Sequence, residues 1–221
     1  MYNLPDPLTL LNSDLWPHER WRVLIRTKVI TYHEYLWRQK AVGNSKLLFL
    51  HVQTIGLAGR PHPVLSGILS TQEVMRARVH IKMLAGDYPC SAYQGSDRTQ
   101  DASCKLCQSL SPQHPSPAED MVHLLVRCRA TSDTRTRIIP ELLNTISQLQ
   151  PSNAILVYPS HTHLTQLILD PTSLNLPMSI RISSDHPALP SVLAVCRTLC
   201  FALHKDRTRQ LALLKKKTLM T

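Results

Sequence analysis

The sequence predicts a mainly α fold in which several short helices and loop-rich connections surround a small CCHC zinc knuckle. Several stretches of the 221-residue chain repeat apolar residues at helical spacing, and 16 prolines against 6 glycines indicate many breaks between the helices. Two cysteines, a histidine and a further cysteine follow one another at short spacings. We expect three regions: an N-terminal helical and loop segment at 1–65, a basic helix with the knuckle at 66–135, and a C-terminal helical segment at 136–221.

The first predicted helix runs from about His18 to Lys40. Its apolar positions follow a broken helical pattern: Trp21, Leu24, Ile25, Tyr32, Tyr35 and Leu36. Cations interleave with Trp21 and Trp37, a combination that can hold phosphates and stack bases. We favour a solvated basic face with the tryptophans turned toward a core.

A capping box predicts the start of the second helix. Ser70 precedes Glu73 by three residues, so the serine oxygen can accept from the backbone at Glu73 while the carboxylate reaches back. Gly86 can supply the left-handed stop, and Pro89 prevents continuation. The exposed side carries basic residues: Arg76, Arg78, His80 and Lys82.

Four later segments carry weaker or simpler signals. Helical spacing predicts a helix from Thr136 to Leu149, and another from about Ser191 to Lys217. The stretch from Ala154 to Asp170 is ambiguous between strand and helix. Between 171 and 190 the chain is rich in proline and serine, which favours a loop.

Cys104, Cys107, His123 and Cys128 are the predicted ligands of one tetrahedral Zn²⁺. The two residues between the first pair allow both thiolates to face one ion, and the last two ligands close the site from a second element. Four protein ligands leave no open position, so the site is structural and not catalytic. His114, in the proline-rich loop between Cys107 and His123, is an alternative third ligand.

The remaining cysteines and histidines have simpler interpretations. A redox role for the CxxC pair requires the start of a helix after a strand, and here the pair precedes a Pro/Ser/Gln-rich loop. Cys90 has no partner at metal-ligand spacing, although it lies near enough to substitute. Cys196 and Cys200 are expected to pack as small hydrophobic residues, and His161 and His163 to form a surface pair.

Charge and compartment bear on partners. The formal net charge is +10 and the pI is about 9.6, which favours association with polyanions, nucleic acid first. A basic solvated surface or a membrane-facing patch is the alternative. The sequence has no secretory signal and no apolar run of spanning length, so we expect a soluble intracellular protein, nuclear and cytoplasmic, with reduced cysteines and no membrane partner.

Three landmarks carry a resemblance to a known family: the basic helix that ends in Leu84-Ala-Gly-Asp-Tyr88, the pair Cys104-Lys-Leu-Cys107, and the segment Glu119-Asp-Met-Val-His-Leu-Leu-Val-Arg-Cys128. Together they resemble the C-terminal region of non-LTR (LINE-type) retrotransposon polyproteins, beyond the polymerase part of the reverse transcriptase. The resemblance covers most of the chain, and its specific part is the CCHC segment.

The resemblance implies a tail fragment without a polymerase. The sequence has no Tyr/Phe-x-Asp-Asp pair to hold the two metal ions of phosphoryl transfer, so we expect a non-enzyme. The loop between Cys107 and His123 is longer and richer in proline than is usual in the family. A restriction-like nuclease that uses Asp170, Asp185, Lys205 or Asp206 is the enzymatic alternative, and it lacks the expected acidic-x-Lys triplet.

The preferred hypothesis is a zinc-stabilised module that binds RNA or DNA through phosphates, beside target-primed reverse transcription and with the missing reverse transcriptase core as a further partner. Five basic residues around the knuckle are the predicted contacts: Arg76, Arg78, Lys82, Arg127 and Arg129. A protein-interaction module or an inert remnant of the element is the second hypothesis.

Overall fold

A computed structural model describes residues 6, 17–41, 44, 47–50, 62–65, 67–68, 70–91, 102–149 and 159–219. Within these ranges the fold is mainly α, as predicted. The helices are α1 (His18–Ala41), α2 (Thr71–Leu84), α3 (Lys105–Leu110), α4 (Ser132–Ser147), α5 (His161–Leu169) and α6 (Leu189–Thr218). Single turns of 3-10 helix at Pro63–Leu65 and Arg129–Thr131 and a π-helical turn at His123–Arg127 complete the described elements.

Contacts divide the chain into two compact units: Met1–Ser45 with Val52–His62, and Lys46–His51 with Pro63–Thr221. The three predicted regions remain a prediction, because no observation tests their boundaries. The first unit contains α1, whose backbone begins with a bond from Arg20 N to the oxygen of Pro17. Trp21 is half-buried but Trp37 is 46% exposed, so the expected burial of both tryptophans is not met.

The predicted cap of α2 forms at its serine. The Ser70 hydroxyl accepts a hydrogen bond from Glu73 N at 3.2 Å, and Gly86 has the left-handed φ of +65° that ends the helix. The second half of the capping box is replaced. The Glu73 carboxylate instead binds Arg76 at 2.7 Å and the buried Arg197 of α6 at 2.9 Å, because a buried guanidinium needs an anionic partner.

Three differences separate the later helices from their predictions. Helix α4 begins at Ser132, one turn before the predicted start, and accommodates Pro140 on its exposed side. The ambiguous segment is helical from His161, where the Ser160 hydroxyl accepts from His163 N at 3.2 Å; residues 154–158 lie outside the described residues. Helix α6 begins at Leu189, two residues before the predicted start, and its first turn contains Pro190, where the missing N–H costs nothing.

One large hydrophobic core occupies the second unit. Its centre is the apolar side of α6 from Leu189 to Leu203, which packs against α2, α4 and α5. Cys196 and Cys200 are fully buried in this core, as predicted, and Phe49 joins it from outside the helices. The 171–190 segment follows turns, yet it also contributes buried Leu176, Ile180 and Ile182.

A second, smaller cluster contains Cys104, Leu106, Cys107 and Cys128. Leu211 and Leu214, near the end of α6, pack against it. Helix α6 therefore contributes to both clusters. In the ranges that the structure describes, none of the helices combines the length and the apolar character that crossing a membrane requires.

Candidate metal centre

The structure brings the four predicted metal ligands together. One ligand atom each from Cys104, Cys107, His123 and Cys128 lies within 4.8 Å of the other three, and all four side chains are buried. Cys128 Sγ is 3.9 Å from Cys104 Sγ and 3.7 Å from Cys107 Sγ, while Cys107 Sγ is 3.5 Å from His123 Nε2. These S–S separations are far too long for a disulfide, and all three cysteines are free. The cluster could hold one metal ion through four ligands.

The first ligand pair lies at the start of α3. Cys104 occupies the N-cap position and Cys107 the first turn, so both thiols face the same side. The sequence-based prediction against a redox role, which placed the pair directly before a loop, is therefore corrected: the pair lies at a helix start. The pair differs from a redox dithiol in its surroundings, because the Cys128 thiol and the His123 imidazole lie within 4.8 Å of both sulfurs.

The proline-rich loop is attached to the first ligand. Cys104 N donates to the oxygen of Pro117 at 2.9 Å, and the Ser116 hydroxyl donates to the oxygen of Cys104 at 2.8 Å. A single antiparallel bridge joins Ser103 to Ala118. These bonds hold the loop against the start of α3, so it is part of the site.

A π-helical turn positions the second ligand pair. In an α-helix, the side chains of residues five apart are rotated by about 140° from each other and cannot reach the same metal ion. Here Cys128 N donates to the oxygen of His123 at 2.7 Å, an i to i+5 bond that widens the turn and returns both side chains to one side. Asp120 Oδ1 accepts from His123 N at 2.6 Å and fixes the start of the turn.

Hydrogen bonds within the cluster favour a thiolate at Cys128. The bond from Cys104 lowers the pKa of Cys128, and the nearby His123 lowers it further; the same bond to Cys128, with burial, raises the pKa of Cys104. The guanidinium of the buried Arg135 donates to the oxygen of Cys128, and to Thr131 Oγ1 at 2.8 Å. Burial lowers the pKa of Arg135, while the Cys128 and Cys107 sulfurs oppose that shift. Arg135 thus supplies a positive charge beside the sulfur ligands.

Behind the ligands lies a buried ion pair. Arg207 of α6 binds both oxygens of Glu119 at 2.9 Å, and the backbone and hydroxyl of Ser91 donate to the same carboxylate at 3.0 and 2.9 Å. Burial raises the pKa of Glu119, but the bonds from Arg207 and Ser91 outweigh it and hold that pKa below its usual value. Glu119 Oε1 is 4.0 Å from Cys104 Sγ. The pair links the ligands to α6.

Two of the five predicted cationic contacts lie beside the site. Arg127 and Arg129 are exposed and line a cavity of about 490 Å³, which Cys107 and His123 also line. Arg127 Nε donates to His161 Nδ1 at 3.0 Å, so His161 is not part of a histidine pair at a metal. Arg78 and Lys82 are exposed on α2, whereas Arg76 is partly buried and paired with Glu73.

Other candidate ligands are placed elsewhere. His114 is exposed on the wall of that cavity and is outside the four-ligand cluster. Cys90 lies in the large core, where burial raises its pKa to about 12. Of the nuclease candidates, Asp170 is fully buried and accepts from Thr172, and Asp206 accepts from Thr134. Among the residues that the structure describes, these carboxylates belong to no cluster of metal-ligand type.

Comparisons of the chain with known protein families, with curated proteins and with solved structures found no match. The interpretation of the site therefore depends on its own chemistry.

Sequence reasoning missed three residues around the site: Glu119, Arg135 and Arg207. Glu119 belongs to the segment that carries the family resemblance, but nothing local connects it to Arg207, 88 positions later. Arg135 carries a weak signal, because an arginine one turn into a helix after a metal ligand can reach back to the ligand's carbonyl.

Proposed function

We propose that this protein is a zinc-stabilised nucleic-acid-binding module without catalytic activity of its own. The observation that carries the proposal is the buried cluster of three thiols and one imidazole with exposed arginines directly beside it. Two steps support it: the fit of the ligand set to zinc, and the distribution of positive charge.

The ligand set and its spacing fit zinc. Zn–S bonds of about 2.3 Å and Zn–N bonds of about 2.0 Å give a tetrahedron whose S–S edges are about 3.8 Å and S–N edges about 3.5 Å. The separations of 3.7 and 3.9 Å between sulfurs, and 3.5 Å between Cys107 Sγ and His123 Nε2, match those edges. Three thiolates and one imidazole complete the coordination, so the ion would hold the fold together and bind no substrate.

Charge is distributed in favour of a polyanionic partner. Zn²⁺ with three thiolates carries a net charge of about −1, which the buried Arg135 offsets, and Glu119 offsets Arg207. The exposed cations Arg127 and Arg129 remain available at the surface of the site, with Arg78 and Lys82 on α2. Exposed lysines and arginines of this kind can bind the phosphates of a nucleic-acid backbone.

The resemblance to the C-terminal region of non-LTR retrotransposon polyproteins agrees with this function. It adds the context of target-primed reverse transcription, with RNA or DNA as the partner and the reverse transcriptase core as a second one. These partners are part of the proposal.

The metal part is tested by measuring zinc per purified chain. We expect one zinc ion in the parent chain and its loss in Cys104→Ser. Cys200→Ser is the matched control, because this buried thiol lies in the large core and its variant should keep the ion. His123→Ala should lose zinc and His114→Ala should retain it. Equal zinc content in Cys104→Ser and the parent would contradict the assignment.

The binding part is tested by titrating single-stranded RNA and duplex DNA at several salt concentrations. We expect affinity that falls steeply with salt and depends weakly on sequence, because the cations offer phosphate contacts and no pattern for reading bases. Each contact removed, as in Arg78→Ala, should lower the logarithmic salt slope by about 0.7 to 0.9. An affinity that salt does not change, or no binding even at low salt, would favour the inert-remnant hypothesis.

A further inference from the structure

The cavity beside the metal ligands has the features of a binding site for one nucleotide. Its volume of about 490 Å³ lies within the range of small-ligand pockets, about 300 to 1,000 Å³. Cys107 and His123 line it, and residues 114–117 of the proline-rich loop form one wall. The hydrogen bonds from Cys104 N to Pro117 and from Ser116 to Cys104 hold that wall in place.

The loop wall offers surfaces that suit a base. Pro115 and Pro117 present apolar rings, and His114 presents an exposed imidazole on the same wall. Imidazoles are among the side chains on which unpaired bases stack.

Two arginines among the lining residues of the cavity suit a phosphate. Arg127 and Arg129 flank the cavity from the π-helical turn and the residue after Cys128. The bond from Arg127 Nε to His161 Nδ1 fixes the orientation of that guanidinium.

We infer that this cavity binds one unpaired nucleotide, with the base against His114 and the phosphate at Arg127 and Arg129. The inference rests on the proposed function and deepens it, because it assigns a preference for single strands. A base in a duplex must leave its stack to enter a cavity, and this costs a few kcal/mol that a single strand does not lose. The salt-dependent contacts between the exposed cations and phosphates apply to single strands and duplexes alike.

The experiment compares single-stranded 12-mers of RNA and DNA with a 12-base-pair duplex, for the zinc-loaded full chain and its variants. His114→Ala should weaken single-strand binding about tenfold, the loss of one stacked base. His114→Phe should restore it, because phenylalanine stacks but does not bind zinc. Ser111→Leu, which fills the cavity without a change of charge, should have the effect of His114→Ala. Duplex affinity should stay the same in all three.

Gln113→Ala is the control from the same loop, outside the cavity lining, and should leave every affinity unchanged. Zinc content measured on each sample verifies that the metal site is intact. His114→Ala and Ser111→Leu are independent tests of the cavity, so one remains if the other loses zinc. If the parent binds oligonucleotides in a salt-dependent way but His114→Ala and Ser111→Leu leave single-strand affinity unchanged, the cavity assignment is wrong and the proposed function survives. Absence of binding to any 12-mer would overturn both.

Discussion

The large core and the metal-ligand cluster lie in the same unit but are stabilised in different ways. The core gathers buried side chains from α2, α4, α5 and α6, and aliphatic residues dominate it. Among the described residues of the cluster, Leu106 is the one buried aliphatic side chain beside the three cysteines. Burial of apolar area, at about 25 cal/mol per Å², can stabilise the first. The second has too little apolar area, so under the proposed function its order depends on metal coordination and on the ion pair behind it.

Removal of the metal should produce the largest effect, and it should unfold the ligand cluster while the large core stays folded. A chelator strong enough to strip zinc should remove amide protection between residues 104 and 131, because structural zinc contributes on the order of 10 kcal/mol to folding. Protection in α6 between residues 192 and 203 should persist. Hydrogen exchange with and without the chelator measures both, and equal loss of protection in the two regions would show that they fold as one unit.

The buried ion pair between the two regions gives the next largest effect. Glu119→Gln leaves Arg207 buried without its anionic partner and should lower the free energy of unfolding by about 3 to 5 kcal/mol. Arg209→Ala, which removes an exposed ion pair of the same helix, should change it by less than about 1 kcal/mol. Urea unfolding measures both, and similar values for the two variants would mean that Glu119 is not held as described.

The same pair predicts a pH dependence. Because the pKa of Glu119 is lowered in the folded protein, its stabilisation is complete above the pKa of the unfolded carboxyl, about 4.3. It is lost as pH falls from that value through the lower folded pKa. The difference in urea midpoint between the parent and Glu119→Gln should therefore shrink below about pH 4. A difference that stays constant down to pH 3 would contradict the assigned direction.

A variant in the large core tests the same comparison, and its effect on the free energy of unfolding should be similar to or smaller than that of Glu119→Gln. Leu199→Ala empties space in the fully buried part of α6 and should cost about 2 to 5 kcal/mol of unfolding free energy. Zinc per chain should stay at the parent value, because Leu199 packs in the large core and not in the ligand cluster. Loss of zinc in this variant would show that the core, and not the ligand set, determines metal affinity.

The predictable features of this chain are those whose causes are local. The Ser70 cap, the Gly86 stop and the CxxC spacing each depend on a few adjacent residues, and the structure contains all three. The start of α4 was predicted one turn late, because residues 132–135 are mostly polar and carry no apolar stripe, although the buried Arg135 begins the packing side.

The parts that could not be predicted depend on distant contacts. The spacing of five between His123 and Cys128 fits no face of an α-helix, and only the π-helical turn explains how both reach one ion. Arg207 and Glu119 meet across 88 positions, and neither residue type indicates burial by itself. Glu73 shows the same limit, because its local signal predicts a cap and its actual partner is Arg197, 124 positions away.

The position of Arg207, Leu211 and Leu214 in the chain has a consequence for biosynthesis. All four ligands are complete at Cys128, but the part of α6 that covers them follows roughly eighty residues later. At a translation rate of about 5 to 20 residues per second, roughly 4 to 16 s pass between the synthesis of Cys128 and the synthesis of its cover. On the proposed function, metal can therefore bind to the nascent chain before the last helix closes over the ligands.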